Sequence, residues 1–173
     1  RPLMSYLDSI YYEDQNCRHI WGSFIKNKAP KDKIDSVRKI VKKVDQSNQL
    51  RIDSIIRLYG WLSPQEVGFQ ASQGLFLVVQ HAPLDYQKKY YPLIKRAEQD
   101  GKILSSNLAI LEDRIAMREG RKQTYGSQGF KDNQTGIQYI YPVIDPDNID
   151  ARRKSMGLVP MKEYAKLLDV EWN

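Results

Sequence analysis

The residues Gln123-Thr124-Tyr125-Gly126-Ser127-Gln128 are followed by Asp145-Pro146-Asp147-Asn148 and then by Arg152-Arg153. Three carboxamides, a phenol, two hydroxyls and two guanidiniums offer more hydrogen-bond donors and acceptors than a hairpin needs in order to fold. A ligand pocket would use that surplus. Further upstream, His81 is the side chain suited to carrying a proton near neutral pH without help from its surroundings. A general base of this kind needs a carboxylate to orient it, and Asp14 and Asp113 are the candidates. The expected catalytic pair is His81 with Asp113. The expected ligand-binding set is Asp14, Gln15, Arg18, Arg114, Gln123, Tyr125, Ser127, Gln128, Arg152 and Arg153.

Each of these residues also has a plain structural use. A lone histidine is more often a hydrogen-bonded fixture than a catalyst. At a helix C-terminus the dipole favours its charged form, and burial favours the neutral one. Gln123 and Gln128 can anchor a loop. Arg152-Arg153 can be tied to Asp145 and Asp147, although neighbouring guanidiniums on a helix diverge by roughly 100°, leaving one for an anion. Covalent catalysis is disfavoured: no Gly-x-Ser-x-Gly elbow surrounds Ser127, and Cys17 falls on an apolar stripe. The single cysteine excludes an intrachain disulfide. With only His19 and His81 beside it, no metal site is expected, and no cofactor is expected.

The elements that must position these groups follow from periodicity. Leu3, Leu7, Ile10, Cys17 and Trp21 recur at helical spacing up to about Phe24, with Asp14 on the same stripe and Arg18 one turn beyond it. A carboxylate on a core-facing stripe must be paired or become neutral, so an Asp14–Arg18 contact is expected; Asp14, Gln15 and Arg18 as the floor of a polar pocket is the functional alternative. After Ala29-Pro30, the residues Ile34, Val37, Val41 and Val44, then Ile52, Ile55, Ile56 and Tyr59, predict a long helix ended by Gly60, with a break or a bend at 45–48. Ser63, Pro64 and Glu66 form a capping box that opens a helix to Gln80, a strand being the competing reading of Leu75 to Val79. Helices are also expected from Asp85 to Asp100 and from Ser105 to Arg118. The latter carries Leu108, Leu111 and Ile115, with Asp113 enclosed on another face. Beyond Gly120 the period becomes twofold, predicting strands over 122–128 and 137–143 joined by turn chemistry at 132–136. A short helix bearing Arg152 and Arg153, and a last one over 160–168, complete the chain.

The fold class expected is therefore mainly α with a small β-hairpin: a single domain of 173 residues, with a helical core over 3–118, a hairpin over 122–143 and C-terminal helices over 149–169. An apolar share of 41% suits a folded chain. The longest apolar run, Leu75 to Val79, is far short of the ~20 residues of a membrane span, so no span is expected. The chain opens on Arg1-Pro2-Leu3, without an initiator Met or an export signal, which fits a trimmed chain or the mature part of an exported bacterial protein. The compartment stays open. The net charge of +6 comes largely from lysines, many of them between Lys26 and Lys43. That segment lacks aromatic residues and reads as a solvated face, which places nucleic-acid binding last.

In their order, these motifs resemble a family of mostly bacterial proteins catalogued as a domain of unknown function. Its pattern of Asp-Gln-x-x-Arg is matched by Asp14-Gln15 and Arg18, Gly-Trp by Gly60-Trp61, Gln-His-Ala by Gln80-His81-Ala82 and Asp-Arg by Asp113-Arg114. Gln-x-Tyr-Gly-Thr-Gln follows, and then Asp-Pro-x-Asn with Arg-Arg and Gly-Leu, at Asp145-Pro146, Asn148, Arg152-Arg153 and Gly157-Leu158. Ser127 stands where Thr is usual and keeps the hydroxyl. Ala82-Pro83 replaces Ala-Asp and removes a carboxylate beside the histidine. The resemblance implies no reaction.

Two readings of different class remain. One is a polar pocket that takes a small, anionic ligand, with metal-independent acid–base hydrolysis or transfer through His81. The other is a protein-interaction module in which the polar motifs only brace the hairpin, and Tyr139, Tyr141, Trp61 and Trp172 supply an aromatic surface for an unknown protein.

Overall fold

The structure is a computed structural model that describes residues 2–131 and 137–172. Among the described residues there are eight α-helices, one short antiparallel strand pair and a 3-10 turn. The chain divides into two compact units, Arg1–Tyr86 with Gln99–Ile103, and Gln87–Glu98 with Leu104–Asn173.

The first unit is built on α1 (Pro2–Lys26), α2 (Lys31–Tyr59), α3 (Pro64–Val67) and α4 (Phe69–His81). Helix α1 packs against both α2 and α4. The helical spacing of the sequence puts Leu7, Ile10, Asp14 and Cys17 on its buried face. Leu7, Ile10, Ile52, Leu75 and Val79 are fully buried, each contributing about 1.5–3 kcal/mol in apolar burial. The close approach of α1 and α4 depends on Gly74, where a Cβ would lie 3.1 Å from the Leu7 carbonyl oxygen and 3.3 Å from Tyr11 Cβ. Residues Leu75 to Val79 are helical, as their length and setting within α4 require.

Two details of this unit correct the sequence reading. Helix α2 runs unbroken through Asp45-Gln46-Ser47-Asn48, because Asp45 finds an ionic partner in Arg18 and buried Asn48 accepts a hydrogen bond from Arg51 Nη1 at 3.0 Å. The helix expected from Pro64 to Gln80 is two helices. The Ser63–Glu66 capping box opens α3 as expected, but Gly68 adopts a φ of 89° and interrupts the chain before α4.

Most of α5 (Leu84–Gln99) and all of α6 (Ser105–Arg118) belong to the second unit. There follow β1 (Gly129–Lys131), β2 (Gln138–Ile140), a 3-10 turn at Pro146–Asn148, α7 (Ile149–Ser155) and α8 (Met161–Leu167). Strands β1 and β2 are antiparallel, with Phe130 opposite Tyr139. The strand expected over 122–128 is not formed: the antiparallel ladder begins at Gly129, and before it Gln123 makes only an isolated parallel bridge to Val143, while the Gln128 carbonyl accepts the Tyr141 N–H. The expected turn at 132–136 lies outside the described residues. Val143, Ile149 and Met161 form a small core against which Ile140, Tyr164 and Trp172 pack.

Candidate functional site

Helix α1 and the C-terminal end of α4 bring Asp14 and His81 together in the first unit. His81 Nδ1 lies 3.0 Å from Asp14 Oδ1; the aspartate side chain is 1% exposed and the imidazole 18%. Gln15 Nε2 donates to the other carboxylate oxygen at 2.8 Å. Arg18 Nη2 stands 3.7 Å from Asp14 and donates to Asp45 at 2.8 Å. The expected Asp14–Arg18 contact is thus a looser part of a four-residue ionic network.

Burial alone would raise the Asp14 carboxyl, but the hydrogen bond and charge of His81, followed by Arg18 and Gln15, bring it below the ordinary aspartate value. Asp14 is therefore an anion at neutral pH and can only accept hydrogen bonds. The proton in the 3.0 Å contact must sit on His81 Nδ1. A neutral His81 so held has its lone pair on Nε2, the form a general base requires. Burial raises Asp45, and Arg18 offsets only part of that effect. Cys17, adjacent in the network, donates its thiol to the Asp14 carbonyl at 3.2 Å. Its thiol is pushed up, first by burial, which opposes any nucleophilic role.

In the second unit, the motif residues converge on the loop 123–128. Asp113, fully buried, accepts the backbone N–H groups of Thr124 at 2.8 Å, Tyr125 at 3.0 Å and Ser127 at 2.9 Å. Gln123, also fully buried, donates through Nε2 to the carbonyls of Gln128 at 2.9 Å and Tyr141 at 2.6 Å, and its Oε1 accepts the Gln128 N–H at 2.9 Å. Arg114 Nε donates to Gln128 Oε1 at 2.9 Å, while Gln128 Nε2 donates to Ser127 Oγ at 3.0 Å.

The loop carbonyls are taken by α7 and α8. Arg152 Nε donates to Thr124 at 2.9 Å, and its Nη2 donates to the carbonyls of Ile144 and Asp145. Arg153, 1% exposed, donates to Tyr125 and Val159, and Tyr164 donates to Ser127. A loop with little exposure must satisfy its backbone, and these side chains do so. Gly126, at φ 68°, passes so close to α8 that a Cβ would lie 2.9 Å from Met161 Sδ.

The site residues read from the sequence thus fall into two groups. Asp14, Gln15, Arg18 and His81 meet in the first unit, where Asp14 and not Asp113 is the histidine's hydrogen-bond partner. Asp113, Arg114, Gln123, Tyr125, Ser127, Gln128, Arg152 and Arg153 meet around one loop of the second. Sequence reasoning missed Asp45, which pairs with Arg18 across 27 positions and so leaves no local signal. It also missed Glu112, which accepts the Tyr91 phenol proton at 2.7 Å and stands beside the Asp113-Arg114 motif. Among the described residues, no group of three or more His, Cys, Asp or Glu side chains is arranged to hold a metal, and no helix is long and apolar enough to cross a membrane.

The chain belongs to a family of unknown function, DUF6624, whose model matches residues 15–173. No curated protein and no solved structure matches it.

Proposed function

We propose that this member of the family is an acid–base enzyme of the hydrolase or transferase type, with His81 as proton carrier and Asp14 as the group that orients it. One observation carries the reading: the 3.0 Å contact between His81 Nδ1 and a buried, anionic Asp14. In this reading His81 Nε2 takes a proton from water or an acceptor hydroxyl as the oxygen attacks an acyl carbon. The proton then passes to the leaving group, and Asp14 stays ionised throughout.

Within the network one guanidinium, Arg18, stands against two carboxylates, Asp14 and Asp45. That balance favours a neutral substrate over the anionic one suggested by the sequence. The arginines that prompted the anionic reading, Arg152 and Arg153, donate to backbone carbonyls.

Hydrolysis of an activated ester such as p-nitrophenyl acetate tests this proposal. His81→Ala should lower kcat/KM by a factor of about 100 or more, and Asp14→Asn by a smaller factor, with helical circular dichroism preserved. Equal turnover in wild type and His81→Ala would refute it. So would a wild-type rate no better than that of free imidazole at the same concentration.

A second reading, an interaction module, has its own support in the hairpin. Phe130 and Tyr139 are each 43% exposed and stack at 5.6 Å between ring centroids, beside exposed Ile137. Of the other aromatics considered for such a surface, Trp61 is buried and Trp172 packs on the Val143 cluster. The surface would therefore be the hairpin face alone. Phe130→Glu should abolish partner binding on this reading and leave ester hydrolysis untouched, which separates the two.

A further inference from the structure

Beside the loop-holding network of the second unit lies a cavity of about 290 Å³, lined by Tyr91, Glu112, Ile115, Ala116, Arg121 and Thr124. Its chemistry centres on Glu112. The Tyr91 phenol donates to Glu112 Oε1 at 2.7 Å, and the charge of the same carboxylate acts on the Tyr125 phenol. Both phenols are raised above the ordinary tyrosine value, first by burial and then by Glu112, so they stay protonated and Tyr91 keeps donating.

A phenol orients a carboxylate without neutralising it. Among the described residues, no lysine or arginine forms an ion pair with Glu112. The cation on the lining, Arg121, spends Nε and Nη2 on Glu119 Oε2, and Lys88 reaches Glu119 Oε1 at 2.8 Å from an exposed position. A carboxylate has about four acceptor positions, and the Tyr91 phenol fills one. Because its proton is committed to Glu112, the Tyr91 oxygen on the lining faces any newcomer as an acceptor. The wall around Glu112 therefore asks for a hydrogen-bond donor with positive charge. Ile115 and Ala116 supply an apolar floor for a short carbon chain, and the Tyr91 ring supplies a face that attracts cations.

We infer that this cavity binds a small organic ammonium group, with Glu112 as its counter-ion and Tyr91 as the residue that holds Glu112 in place. The site uses none of the atoms of the Asp14–His81 pair, so the inference stands apart from the acid–base proposal.

The test is a titration of the full chain with n-butylammonium chloride, followed by two-dimensional 1H–15N NMR, with n-butanol and sodium butyrate as isosteric controls. The expected result is a saturable shift of the Glu112, Ala116 and Thr124 amides with butylammonium alone, and binding at least tenfold weaker in Glu112→Gln. No saturable shift with butylammonium overturns the inference, as does an equal response to butanol or butyrate, or unchanged binding in a folded Glu112→Gln. The wild-type comparison of the three probes decides the matter even if that variant does not fold.

Discussion

At the scale of single residues, two buried aspartates do different work. Asp113 is fully enclosed and accepts three backbone N–H groups. Asn at this position keeps one acceptor oxygen and turns an NH2 group toward donors, so Asp113→Asn should cost about 3 kcal/mol in urea unfolding. Asp14 is held below its ordinary value despite burial. A carboxyl depressed in the folded state contributes stability above its unfolded value, near 3.8, and loses it as pH falls through the folded value. Asp45 is raised, so its contribution has the opposite sign and is present at low pH only. Asp14→Asn should therefore lower stability at pH 7 by about 2 kcal/mol and flatten the acid limb of stability against pH, measured by urea titrations across that range. A limb as steep as that of the wild type would contradict the assignment. Asp14 was legible in the sequence because a carboxylate interrupted an apolar stripe at helical spacing. Its pairing with His81, 67 positions away, was one of two candidates, because no local spacing chooses between Asp14 and Asp113 as the histidine's partner.

At the scale of elements, the helices were legible and the loop was not. Apolar spacing marked α1, α2 and α6 because each buries one face, and the Ser63–Glu66 capping box marked the start of α3. The alternation that suggested a strand over 122–128 has another origin. The Gln123 amide makes the bonds that a neighbouring strand would make, reaching the backbone of Gln128 and Tyr141. Side chains from α6, α7 and α8 complete the loop. Sequence periodicity does not distinguish such a loop from a strand, since both need buried positions with saturated hydrogen bonding. Gly126 is where the construction is tightest, with a left-handed backbone and the Met161 and Ile149 side chains about where a Cβ would go. Gly126→Ala combines backbone strain with overpacking and should cost roughly 2–4 kcal/mol in thermal or urea unfolding. A loss below ~0.5 kcal/mol would mean that the loop is not held as described.

At the scale of the whole molecule, the two sites answer to opposite ends of the pH scale through Asp14 and through Tyr91 and Tyr125. The first carries the depressed Asp14, and the second carries phenols raised by burial and by Glu112, with Tyr125 pushed up to about 12. A phenol raised in the folded state contributes stability below its unfolded value, near 10, and loses it as pH climbs toward about 12. Tyr125→Phe should accordingly soften the alkaline loss of stability and leave the acid limb unchanged, as followed by melting curves at pH 9 to 12. The family match covers nearly the whole chain and brings no reaction with it, so function must be sought in the sites themselves. The account depends most on the proton between His81 and Asp14. Long-range 1H–15N correlation of the neutral imidazole reads its tautomer directly: a proton on Nδ1, released from that position in Asp14→Asn, is the predicted result, and a proton on Nε2 in the wild type would contradict it.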